Sequence, residues 1–234
     1  MFIGHFGVGF GAKRYGGRVS LGTLLMAAQF VDLIWPVMLL LGLERVEIVP
    51  GITKVTPLDF VYYPFTHSLV GVLVWALLFG GVFYAFRRQL GRALLLGGLV
   101  VSHWVLDLIV HRPDLPLLLE SGPKVGLDVW NSLALTLLIE GVIFIGGAVI
   151  YLRTTRASNK VGSYGTWGLM AFLAIVYLMN LFGPPPSSAS AIGIVGLSQW
   201  LLVAWGYWID RNRVVVSLAE REPGAAASVK TASP

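Results

Sequence analysis

Residues 93–110 read ALLLGGLVVSHWVLDLIV, and this one stretch decides the fold class. At 1.5 Å per residue it is long enough to cross the roughly 30 Å hydrocarbon layer of a bilayer. It is apolar on every face and lacks the polar stripe of a helix lying on a soluble domain. Five more stretches of this character stand around it, at about Leu21 to Leu43, His67 to Phe86, Val129 to Leu152, Trp167 to Phe182 and Ala191 to Ile209, the fifth in chain order (Trp167 to Phe182) being the shortest. An open sheet would leave backbone groups unpaired in lipid, so the spans must be helices. The expectation is an all-α fold, a polytopic transmembrane helical bundle of about six spans.

Composition agrees. Of 234 residues 56% are hydrophobic and 12% charged, against about 25% charged in an ordinary soluble domain, and the mean hydropathy is +0.77. A chain without cysteine forms no disulfide and offers no thiolate to a metal. A pI near 9.6 would suit nucleic acid in a soluble protein; in a membrane protein it reports orientation instead, so no nucleic-acid partner is expected. Thirteen of the 17 Lys and Arg residues fall on one side of the expected spans, in the groups 13–18, 87–92, 153–160 and 211–230, whereas only Arg45, Lys54, Arg112 and Lys124 fall on the other. The positive-inside rule then puts both termini in the cytoplasm and turns the 44–66 and 112–128 loops outward.

The opening MFIGHFGVGFGAKR is too short to span, and no small-residue cleavage site follows it, so it reads as a re-entrant or interfacial segment rather than a signal peptide. Residues 1–213 form one transmembrane domain. The remainder, 214–234, ending REPGAAASVKTASP, is small and polar and is expected to be a disordered cytoplasmic tail. The tryptophans and tyrosines read mainly as interfacial anchors.

Function must lie with the few ionisable groups inside the spans, which are costly there and face the bundle interior. Asp32 sits in AAQFVDLIWPV, Glu140 in LLIEGVIF, and His103 and Asp107 in SHWVLD, which continues to His111 and Asp114; His67 opens the second span in YYPFTHSL. Residues 103, 107 and 111 recur every four positions and share one slowly turning helix face. A His and an Asp one turn apart can ligate one ion, imidazole nitrogen and carboxylate oxygen both suiting Zn²⁺ near 2 Å. The topology brings His67 to the outer end of this face and lets Asp32 and Glu140 approach His103. The competing reading is interhelical hydrogen bonding worth about 1 kcal/mol per contact. All four histidines, however, lie in or beside these motifs. Arg112 and Asp114 read as a loop ion pair ahead of helix-stopping prolines.

The stretches GHFGVGFGAKR, FVDLIWPV, TPLDFVYYPFTHSL and SHWVLDLIVHRPDLP, spread over about the first half of the chain, resemble the bacterial membrane-bound metal-dependent hydrolases, a family of multi-helix inner-membrane proteins. The last three spans match only in general character. The resemblance implies a metal held by an N-terminal His, an Asp of the first long helix, a THS motif and a later His with Asp one turn on: here His5, Asp32, His67, His103 and Asp107. The better-known members carry an acidic pair and HR ahead of the THS motif. In this chain a single Asp32 precedes Leu-Ile-Trp, and PFTHS lacks the HR. The charge rule leaves His5 on the cytoplasmic side and His67 and His111 outside, which a re-entrant first segment would reconcile.

The leading expectation is a membrane-embedded hydrolase of the bacterial cytoplasmic membrane acting on a small amphiphilic substrate, for example a lipid-linked phosphoester. His67, His103, Asp107 and Asp32 would hold a divalent metal, zinc above others, with His111 or Glu140 as proton acceptor or orienting group. A transporter or proton-coupled permease would use the same mid-membrane residues as a relay, although no inverted repeat or matched pair of interrupted helices stands out. A non-catalytic scaffold would use them only to hold helices together. Lipid phosphatases of the phosphatidic-acid phosphatase type are set aside, since PFTH stands where their chemistry needs PSGH.

Overall fold

A computed structural model describes residues 1–120 and 122–216; the expected disordered tail, from residue 217 on, lies outside the described residues. The chain is mostly helical and opens with three short helices, α1 (Ile3–Gly11), α2 (Lys13–Gly16) and α3 (Leu21–Ala28). At Gln29 the path bends by 58° into α4 (Phe30–Leu40). The span expected as one helix over residues 21–43 is therefore two. Neither Gly nor Pro marks the bend, and Gln29 takes φ −103° and ψ 9°. The two halves pack on different partners, which fixes the turn. Pro36 lies within α4, where it cannot donate to the carbonyl of Asp32 one turn back.

A hairpin follows, β1 (Arg45–Ile48) with β2 (Leu58–Tyr62), then the single turn α5 (Pro64–His67) and the long helices α6 (Leu69–Arg87) and α7 (Leu90–Val110). A second small hairpin, β3 (Leu115–Pro116) with β4 (Lys124–Val125), and a 3-10 turn at Val129–Asn131 lead into α8 (Leu133–Thr154). Strand β5 (Thr155–Ala157), α9 (Lys160–Phe182), α10 (Ala189–Leu197), α11 (Gln199–Asp210) and β6 (Arg213–Val215) complete the described chain. β5 pairs antiparallel with β6, so residues 214 and 215, expected in the tail, belong to a strand. Two hairpins and the β5–β6 pair are the departure from an all-helical expectation, and all of them lie between or beyond the long helices.

Several helices start where a side chain accepts from an orphan N–H of the first turn, although α7 does not. Ser68 caps α6 at Gly71 N (2.9 Å), Asn159 caps α9 at Gly162 N (3.0 Å) and Ser188 caps α10 at Ala191 N (3.1 Å). The Asn159 cap explains why α9 begins at Lys160 instead of Trp167: KVGSYGT, glycine-bearing and polar, adds two turns that its composition hides. Five helical stretches, with α10 and α11 taken as one, are long and apolar enough to cross a membrane, and six if the bent α3–α4 pair is one span. Large apolar side chains such as Leu77, Val142 and Ile145 stand more than 60% exposed along them, as they would where lipid is the solvent. In α7, 44% of the apolar window is buried, against 22% in α6 and α8, which makes α7 the central helix.

α1 is too short to span and packs inside the bundle, chiefly against α8 and also on α3 and α7. Two glycines permit this. A Cβ on Gly147 would fall 1.8 Å from the carbonyl oxygen of Gly7, and one on Gly7 would fall 2.6 Å from that of Ile143. Phe6 and Phe10 are fully buried alongside, so His5 is carried to the interior beside α7. The two ends of the bundle differ. At one, the 45–62 and 115–125 hairpins form a cap tied by Lys54 N to Trp130 O (3.1 Å) and Val70 N to Leu117 O (3.2 Å). At the other, the buried Lys13 ammonium bonds Asp210 (2.6 Å) and the Val19 carbonyl (2.8 Å), joining α2 to the end of α11.

Candidate metal centre

Five polar side chains converge where α1, α4, α5 and α7 meet beneath the cap: His5, Asp32, His67, His103 and Asp107. All but Asp32 are almost fully buried, and the side chain of Asp32 is 20% exposed. Two groups of three are each tight enough to share an ion: His5, His103 and Asp107, and Asp32, His67 and His103, with the ligand atoms of each within 4.8 Å of one another.

Hydrogen bonds fix how each ring faces the centre. His103 Nδ1 lies 2.9 Å from the carbonyl oxygen of Ala28, at the end of α3. A carbonyl only accepts, so Nδ1 carries a proton, and in the neutral ring the lone pair is on Nε2. That Nε2 is buried, 3.2 Å from Asp107 Oδ2 and 3.7 Å from Asp32 Oδ2, yet it makes no aligned hydrogen bond to either. His67 Nε2 lies 3.3 Å from Asp32 Oδ1 and 3.8 Å from Asp107 Oδ2. On its far side, Nδ1 is 2.7 Å from Thr66 Oγ1, which itself donates to Glu44 Oε2 at 2.7 Å. Glu44, 1% exposed, also accepts the Thr66 backbone N–H at 2.8 Å. Burial pushes the Glu44 carboxyl above its ordinary value, with His67 and the Thr66 bonds pulling the other way.

Around a tetrahedral ion with bonds of about 2.0–2.2 Å, neighbouring ligand atoms sit about 3.3–3.5 Å apart. The four His–Asp separations of 3.2–3.8 Å lie near that spacing, with His67 and His103 sharing Oδ2 of Asp107 but facing different oxygens of Asp32. Asp107 divides its two oxygens. Oδ2 faces these imidazoles, while Oδ1 takes His5 Nε2 at 3.1 Å and the amino nitrogen of Met1 at 2.6 Å. The His5 ring stacks on His103 at 3.6 Å with 6° between planes. Lone pairs lie in the ring plane, so an ion in the plane of one ring is well out of the plane of the other. His5 and His103 are therefore poor partners for one ion as they stand, whereas His67, inclined 68° to His103, is a good one.

The remaining expected site residues have other partners. Glu140 Oε2 accepts the backbone N–H of Phe2 (2.8 Å) and Gly4 (3.3 Å), which pins the start of α1 to α8. His111, just past the end of α7, bonds Asp114 Oδ1 through Nδ1 at 2.9 Å and packs on Trp130 and Phe60. Tyr63 stands between His67 and His111, with its hydroxyl 3.3 Å from Asp114 Oδ1. Arg112 pairs with Asp114 (3.0 Å), as expected, and also with Asp59 on β2 (2.5 Å). A cavity of about 440 Å³ in the cap opens beside Asp59, Arg112 and Asp114.

Sequence reasoning missed Glu44, Tyr63 and the Ala28 carbonyl. Thr66 was in view as part of the THS motif, but Glu44 precedes Arg45 in a loop and reads as a surface acid. No protein-family model, curated protein or solved structure matches this chain.

Proposed function

We propose that the chain is a membrane-embedded, metal-dependent hydrolase whose single divalent ion, zinc by its ligand chemistry, is held by Asp32, His67, His103 and the Oδ2 of Asp107. One observation carries this reading: His103, held with a proton on Nδ1 by the Ala28 carbonyl, aims its buried Nε2 at two carboxylates without an aligned hydrogen bond to either. Buried polar groups have partners; either a second ring proton or a cation can join this imidazole to two carboxylates, and with the His67 Nε2 turned toward the same carboxylates the cation is the reading we take. When bound, such an ion acts as a Lewis acid and lowers the pKa of water it holds to about 7.

The protein supplies the rest. Asp32, the exposed member, marks the side from which substrate and water arrive. His5, hydrogen-bonded to Asp107 and carrying a buried Nδ1 without a partner, takes the proton-transfer role in this reading. His111 and Glu140, the earlier candidates for it, are engaged with Asp114 and with the start of α1. Apolar helix surfaces on every side of the bundle suit an amphiphilic substrate drawn from lipid, such as a lipid-linked phosphoester. The resemblance of the first half of the chain to the bacterial membrane-bound metal-dependent hydrolases points the same way. So does the basic bias of the loops, which favours a bacterial cytoplasmic membrane with both termini inside.

Elemental analysis of detergent-purified protein tests the proposal: one equivalent of a transition metal per chain, removed by chelator together with hydrolysis of a lipid phosphoester, supports it. Metal-free protein that retains that hydrolysis refutes it.

A second reading has one observation in its favour. α3 and α4 break at Gln29, whose amide is buried with both polar atoms unpaired, and they pack along α11 and α10, which meet at Ser198. Discontinuous helices of this kind line the binding sites of transporters. Proton-driven flux in proteoliposomes without bound metal would select that reading.

A further inference from the structure

The metal reading leaves Glu44 and Thr66 without a stated task, and their geometry supplies one. Thr66 has a single hydroxyl proton and two neighbours that need it, Glu44 Oε2 and His67 Nδ1, each at 2.7 Å. An ionised carboxylate has no proton to give. The Thr66 proton therefore goes to Glu44, and the same oxygen accepts from His67 Nδ1–H. His67 then presents an unprotonated Nε2 toward Asp32 and Asp107. All three members of the relay are buried, so water does not compete for these bonds.

We propose that Glu44 and Thr66 are positioning residues that set the tautomer of His67 through a carboxylate–hydroxyl–imidazole relay, making Nε2 a metal ligand. This rests on the metal reading of the centre. The relay does for His67 what the Ala28 carbonyl does for His103, and outer partners of this kind typically control metal affinity about 10–100-fold.

The relay has a direction, and one atom change reverses it. In Glu44→Gln the Thr66 backbone N–H, which bonds Oε1 at 2.8 Å, requires the amide oxygen at that position. The NH₂ group must then occupy the position of Oε2 and donate to the Thr66 oxygen. The hydroxyl turns to donate to His67 Nδ1, the ring proton moves to Nε2, and the metal-facing lone pair is lost although shape and volume are preserved.

The test uses full-length protein in detergent with ¹⁵N-labelled histidine, first free of metal and then titrated with Zn²⁺. Nitrogen chemical shifts should give His67 protonated on Nδ1 in the unmodified protein and on Nε2 in Glu44→Gln, with Zn²⁺ affinity reduced about 10–100-fold. If Glu44→Gln does not fold, Thr66→Val and Thr66→Ser carry the test. The valine lacks the acceptor and should lose affinity in the same range, whereas the serine keeps the hydroxyl and should restore it. An unchanged tautomer in Glu44→Gln, or equal losses in the valine and serine variants, would overturn the relay. Unmodified protein that shows the Nδ1–H tautomer but binds no Zn²⁺ would instead refute the metal reading and leave the relay standing.

Discussion

Within twelve residues the chain carries two His–Asp pairs, His103 with Asp107 and His111 with Asp114, and the structure treats them oppositely. The second pair is closed: His111 Nδ1 bonds Asp114 Oδ1 at 2.9 Å, Arg112 occupies Oδ2 at 3.0 Å, and Tyr63 joins from the side. The first is open. His103 bonds a backbone carbonyl through Nδ1 and turns Nε2 toward the carboxylates of Asp32 and Asp107 without an aligned hydrogen bond to either. A pair that satisfies itself stabilises a loop; a pair that leaves its acceptors converging has room for a cation. Both spacings, four residues in the first pair and three in the second, bring His and Asp together. What separates the pairs is where third groups bind: the Ala28 carbonyl takes the ring of His103, whereas Arg112 and Tyr63 take the carboxylate of Asp114.

The largest effect that could break this comparison is on metal affinity. His103→Ala and Asp107→Ala should each weaken Zn²⁺ binding by more than the ~100-fold upper range of outer-shell changes, while His111→Ala leaves it within about threefold, as read by competition with a chromophoric chelator. Comparable losses at both positions would erase the distinction. The next effect sharpens what holds the open pair in place. Glu140→Ala strips two buried N–H groups of α1 of their acceptor and should cost about 3 kcal/mol in thermal or denaturant unfolding in detergent. Asp114→Asn should cost about 1 kcal/mol in the same assay without altering Zn²⁺ affinity.

The smallest effect is on pH dependence and belongs to the closed pair. Burial holds His111 below its ordinary value of 6.5, outweighing the bond to Asp114. The unfolded chain therefore takes up a proton that the folded chain refuses, and stability falls as pH drops below about 6.5. Burial also works against ionisation of Asp114, but the His111 and Arg112 contacts prevail and keep its carboxyl below 3.8; its contribution is present above that value and lost as pH falls through the lower folded one. His111→Gln should flatten the profile of unfolding free energy between pH 7 and 5 by about 1 kcal/mol or less. A profile as steep as that of the unmodified protein would assign the acid sensitivity elsewhere.

Much of this was legible from residues alone, for physical reasons. Helices that can face lipid are apolar on every side, so four of the stretches expected to span appear as single long helices and a fifth as α10 and α11 end to end, and the rarity of charge in the expected spans singled out Asp32, His103, Asp107 and Glu140. The bend at Gln29 was not legible, because it comes from packing of α3 and α4 on different helices and has no proline or glycine to announce it. His5 entered through a family resemblance; its burial depends on the close approach of Gly7 to Gly147, which spacing does not encode. Glu44 was invisible because a carboxylate next to an arginine in a loop looks solvated until the fold closes over it. Glu140 read as a candidate for proton transfer, and only coordinates place the N–H groups of Phe2 and Gly4 on its oxygen.

On the metal reading the open pair, and not the closed one, holds an ion. Anomalous scattering at the zinc edge from crystals of zinc-saturated protein measures this directly. A peak is expected about 2.0–2.2 Å from His67 Nε2 and His103 Nε2, flanked by carboxylate oxygens of Asp32 and Asp107. A peak at His111 and Asp114, or no peak between Asp32 and Asp107, would contradict it.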